Sequence, residues 1–162
     1  MNNKGSRYIK VGLLFGVLFG MLAFSASASE LQIPTVEGKI GHLVTIPIKV
    51  DKIENLAGLK LVIEYDSKLL EYKAAEKSFY TSSLMHVVND KKPGQLIIVM
   101  AGAKGIAGKD IILVNLTFLI KKNSGFKSEY KTDLMILEVE MMSDQLKHLE
   151  CTKRINSLTV IP

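Results

Sequence analysis

The 162-residue sequence has no tryptophan, four prolines and a single cysteine, Cys151. One cysteine excludes an intramolecular disulfide, so the fold must rest on its core alone. Without tryptophan the chain lacks the side chain that flat sugar-binding platforms use first, the one with the largest apolar ring area. The aromatics outside the N-terminal stretch (Tyr65, Tyr72, Phe79, Tyr80, Phe118, Phe126 and Tyr130) form no row. His42, His86 and His148 stand in separate segments. His148 and Cys151 are three apart, but nothing completes a four-ligand zinc set, so neither a metal nor a cofactor is expected. No Gly-x-Ser-x-Gly elbow occurs. "GAKGIAGKD", Gly102 to Asp110, has Ala103 where a phosphate-binding loop needs its first glycine and Asp110 where it needs a magnesium-binding hydroxyl. It reads as a glycine-rich loop between strands. Glu138 and Glu140 share a strand face, but a glycosidase pair would need a cleft holding the two carboxylates about 5–9 Å apart. A solvated strand edge is the simpler reading, and no catalytic residue is assigned.

What is present begins with an export signal. Lys4, Arg7 and Lys10 precede an apolar run broken only by glycine, Val11 to Phe24, and Ala26-Ser27-Ala28 offers an A-x-A cleavage site. Fourteen residues at about 1.5 Å each fall short of a hydrocarbon core of about 30 Å. The expectation is a signal peptide over 1–28, one domain over 29–162 and no membrane association after cleavage. The destination is the periplasm or the medium. Removing the leader takes three of the 21 basic residues and none of the 16 acidic ones, leaving a balance of +2. Nucleic acid, which needs a concentrated basic face, is therefore not expected as a partner.

The remaining sequence alternates with a period of two. In Leu43–Val50 the apolar residues Val44, Ile46, Ile48 and Val50 fall on one side, and Pro47 requires an edge or a bulge. In Leu59–Tyr65 the residues Leu59, Leu61, Ile63 and Tyr65 face a core, leaving Lys60, Val62 and Glu64 outward. Asp66 can then bond the backbone two residues on and turn the chain. Further strands are expected over 69–75, 84–88, 95–101, 113–121, 134–139 and 158–161, with a weaker one over 148–154. Pro93-Gly94 sits in a hairpin connection. "DSKLL" could form one helical turn, and "SDQLKHL" a short helix in place of a strand. Short strands at regular spacing with no sustained helical stripe predict an all-β, antiparallel sandwich.

"EYDSKLLEY", Glu64 to Tyr72, ends one strand on Tyr-Asp and restarts another at Leu-Glu. Together with "GKIGHLVTIPIKV", "NLAGLKLVIEYD", "GQLIIVMAGAKG", "DIILVNLTFLIKKNSG" and the terminal "NSLTVIP", in that order and spacing, it resembles the cohesin domain. The resemblance implies a jelly-roll sandwich of about nine strands. It also implies a non-catalytic role, docking dockerin modules that assemble polysaccharide-degrading enzymes, with calcium carried by the dockerin. Best-known cohesins present Asn and Asp on the outward face of the Tyr-Asp strand, where this chain has Gly58 and Lys60. A partner matched to that acid would meet like charge or an unpaired group here, costing about 1–3 kcal/mol. The candidate binding residues are therefore Gly58, Lys60, Val62 and Glu64, with Tyr65 and Asp66 as a structural turn. Val62 is the apolar centre between two charged neighbours. A carbohydrate-binding or extracellular matrix module on the same fold is the alternative, with a polysaccharide as ligand. The identity of the partner, the oligomeric state and the role of Cys151 remain open.

Overall fold

The computed structural model describes residues 28–122, 130–155 and 158–161. The expected leader, apart from Ala28, and Phe126 lie outside them. Ten strands follow in order: β1 (Ser29–Ile33), β2 (Val36–Lys39), β3 (Leu43–Glu64), β4 (Leu70–Lys77), β5 (Met85–Asn89), β6 (Gln95–Ile120), β7 (Tyr130–Thr132), β8 (Met135–Ser143), β9 (Cys151–Ile155) and β10 (Leu158–Ile161). Among the described residues no helix occurs.

Two strands are far longer than the sequence suggests. β3 joins the expected strands 43–50 and 59–65, and β6 joins 95–101 and 113–121. Each serves two sets of partners. The first half of β3 pairs with the second half of β6, which also pairs with β4, while β1 joins β3 at Lys49 and Val50 and carries β9. The second half of β3 lies between the first half of β6 and β8, and β5 adds to β6. The exchange occurs where the β3–β6 register shifts, between Ile53 and Gly58. Asn55 adopts φ 64° there, and its amide donates to Asp144 Oδ1 at 2.7 Å. Gly105 lies so close that a Cβ would sit 1.8 Å from Asn55 Oδ1. The expected glycine-rich loop is thus a bent part of β6, glycine being needed where the two chains touch.

The antiparallel expectation holds for most pairs but not all: β1 pairs with β9 and β2 with β10 in parallel. Pro47 is accommodated beside a register shift at Ile48/Lys49, and β1 stops short of it. "SDQLKHL" is a turn followed by an isolated bridge, with Leu146 N donating to Ser143 O, and not a helix.

The core is aliphatic. Leu31, Ile46, Ile48, Leu61, Ile63, Leu96, Ile98, Leu116 and Phe118 are buried in one cluster. Phe118 is its largest fully buried side chain, with Tyr65 at 5.0 Å and Tyr72 at 6.0 Å between ring centroids. Tyr72 is half-buried and packs edge-on against Phe118.

Candidate docking face

Beyond Tyr65 the chain turns as its residues require. Asp66 Oδ1 accepts from Lys68 N at 2.8 Å, and Asp66 O accepts from Leu69 N and Leu70 N. This is the single helical turn expected from "DSKLL". Tyr65 N donates to Gly94 O, which ties the turn to the β5–β6 hairpin, where Gly94 supplies φ 86°. Tyr65 is buried against Phe118 while Asp66 is exposed, so the pair forms a local frame for the end of β3.

The register places four strands side by side in the order β5, β6, β3, β8. Their outward residues form rows: Met85, Ala101, Gly58, Met142; then Val87, Val99, Lys60, Glu140; then Asn89, Ile97, Val62, Glu138. Gln95, Glu64 and Met135 extend the last side. The β5–β6 side is apolar and open: Met85 is 73% exposed, Val87 63% and Val99 42%. The β8 side carries the charge. Lys60 Nζ lies 2.5 Å from Glu138 Oε1 and 3.7 Å from Glu140 Oε1. The hydrogen bond to Glu138 holds the Lys60 ammonium above the usual lysine range, and Lys60 in turn holds the Glu138 carboxyl below its own. Glu138 and Glu140 thus flank a cation on an open sheet.

Each candidate residue from the sequence is found in this sheet. Gly58, Lys60, Val62 and Glu64 alternate with the core residues Leu59, Leu61 and Ile63. Val62 lies outside the core cluster yet is only 8% exposed, for it stands between Ile97 and Glu138 in its row. Its neighbours close over it, so the open apolar surface is centred on Val99 and Val87. Period-two parity identifies the side a residue takes; it says nothing of who stands beside it. β8 entered the face through a pairing distant in sequence, whereas β5 joins β6 in the hairpin expected around Pro93-Gly94.

The described residues form an all-β fold with an exposed sheet face that is apolar on its β5–β6 side and charged on its β8 side. The family model described as Cohesin domain matches residues 29–157. The chain belongs to that family. Among solved structures it is similar to the non-cellulosomal cohesin of the archaeon Archaeoglobus fulgidus, at 13% identity and TM-score 0.73, covering 84% of this chain and 93% of that one. It is also similar to the sixth cohesin of scaffoldin B from Acetivibrio cellulolyticus, solved with a Cel5 dockerin, at 21% identity and TM-score 0.71, covering 82% and 98%. A third is the OlpC cohesin of Clostridium thermocellum in complex with the dockerin Doc435, at 19% identity and TM-score 0.72, covering 83% and 94%. No curated protein matches the chain.

Proposed function

We propose that this chain is an exported, non-catalytic cohesin module that docks a dockerin-type partner, with calcium carried by that partner. In this reading residues 1–28 are a cleaved leader and 29–162 the working domain, acting in extracellular assemblies that degrade polysaccharide. The docking surface is the β5–β6–β3–β8 face, including Gly58, Lys60, Val62 and Glu64. One observation carries the assignment. Three of the exposed large hydrophobic residues, Met85, Val87 and Val99, stand together on β5 and β6 of this face, beside the charged residues of β3 and β8. Exposed apolar surface gathered in one place and rimmed by charge is what a stable protein partner needs, whereas scattered apolar residues need no explanation. Lys60 is already paired with Glu138, so with Glu64 and Glu140 the face offers a partner net negative charge.

The test is calorimetric titration of the purified chain with a panel of calcium-loaded dockerin modules, repeated in chelator. Saturable binding that chelator abolishes supports the reading; no binding across the panel refutes it. A second reading, glycan binding, has one observation in its favour. A cleft of about 310 Å³ opens beside the Tyr65-Asp66 turn, lined by Tyr72, Asp90, Glu71, Ser67 and Lys121 among others. Its size suits one small ring-shaped ligand. Shift changes at Tyr72 on titrating neutral oligosaccharides would favour it.

A further inference from the structure

The sheet edges of this fold are guarded unequally. An open strand edge is a template for pairing with another chain, and natural sheets blunt it with charge, proline, bulges or a covering segment. The far edge of β8 is covered: Lys153 Nζ donates to Ile136 O and Leu137 O, Leu149 N donates to Met141 O, and Met142 bridges His148. β4 carries Glu71, Lys73, Glu76 and Lys77 and breaks its register at Tyr72/Ala74. β5 has none of these devices. Its sequence is Met-His-Val-Val-Asn, without proline, lysine or acid, and its ladder to β6 runs from Met85 to Asn89 with no register shift. Lys77 reaches only the carbonyls of Ser82 and Leu84, just before the strand begins. Burial, with Lys77 nearby, lowers the pKa of the one titratable group, His86, and so favours its neutral form. Among the described residues no strand lies beyond β5.

We propose that β5 is a self-association edge: two copies of this chain pair β5 to β5, antiparallel, about a two-fold axis through Val87. The strand complements itself in each respect that such pairing requires. Antiparallel strands related by a two-fold axis exchange the same hydrogen bonds in both directions. The strand carries no formal charge, so no like charges meet. Val87 faces Val87 and Met85 faces Asn89 across the axis, in uninterrupted register. A β-branched cross-strand pair of this kind is stabilising. The product is one continuous sheet through both copies, with two docking faces side by side and their outward surfaces free. This inference stands apart from the docking reading, since it needs no partner protein.

Sedimentation of the purified chain from about 10 µM to about 1 mM, a range that spans weak association, should show mass rising toward a dimer. Val87 is 63% exposed, so its replacement leaves the core untouched, and an unchanged melting temperature verifies this. V87K and V87E should each remain monomeric throughout, because like charges then stand directly opposite. An equimolar mixture of the two should recover dimer. A wild-type chain that stays monomeric over the whole range overturns the proposal. So does a dimer that V87K leaves intact, or a mixture that fails to associate.

Discussion

Replacing Asp66 by alanine separates a structural role for the Tyr65-Asp66 turn from a binding one. The substitution removes one hydrogen bond, Asp66 Oδ1 to Lys68 N. The backbone bonds from Leu69 and Leu70 to Asp66 O stay in place. The orphaned N–H lies in an exposed turn, where water can replace the carboxylate. The loss should match that of a comparable capping side chain, about 1 kcal/mol. For a domain of this length that lowers the melting temperature by about 3–5 °C. Asp66→Asn, whose side-chain oxygen can still accept the bond, should recover most of it. Thermal unfolding by circular dichroism reads both variants, and titration with a bound dockerin reads affinity alongside. Unchanged stability with lost affinity would make Asp66 a contact residue and refute its assignment to the fold.

Three further outcomes are expected. Phe118→Ala empties the space between Tyr65 and Tyr72 at the centre of the core and should cost about 3–5 kcal/mol, measured by denaturant unfolding. Gly105→Ala should lower stability more than alanine at an ordinary strand glycine, because the added Cβ meets the Asn55 side chain and its backbone. Partial loss of the β3–β6 amide protection at that bend, read by hydrogen exchange, would locate the damage. His86 is desolvated, with Lys77 nearby, and so titrates below the ordinary histidine value of 6.5. Its unfolded form takes up a proton first as pH falls. The neutral imidazole's contribution to stability is therefore present above that value and is lost as pH drops from there toward the lowered one. An NMR titration placing His86 at or above 6.5 would contradict this.

Much of the sheet was legible because one-sided burial imposes strict alternation. Leu59, Leu61, Ile63 and Tyr65 are buried as parity requires, and Pro47 does sit beside a register shift. The missed features depend on information that is not local. β2 is four residues, Val-Glu-Gly-Lys, too short and polar to show a period, and it is held by pairing with β10 over a hundred residues away. The parallel pairs have no signature within a single strand. The glycines at 102, 105 and 108 read as a loop, although close chain contact explains Gly105 within a continuing strand. At the candidate face, the residues assigned from the sequence lie on β3, and the hairpin expected around Pro93-Gly94 brings β6 and β5 beside it; β8 was not placed there. The openness of Val87 and Val99, and the closure over Val62, follow from which strands stand beside which.

That difference decides the most direct test of the docking face. Val62→Glu would disturb the free chain as well as any complex, since Val62 is only 8% exposed beside Glu138. Val99 is 42% exposed on β6, directly between Val87 and Lys60, and a glutamate there is solvated until a partner covers it. The measurement is the affinity of Val99→Glu for a dockerin module that binds the unsubstituted chain, with melting temperature as control. Burying an unpaired carboxylate at the centre of the contact should cost about 3 kcal/mol, roughly a hundredfold in Kd, at unchanged stability. Affinity within about threefold of the unsubstituted chain, less than 1 kcal/mol, would place the docking surface elsewhere on the molecule.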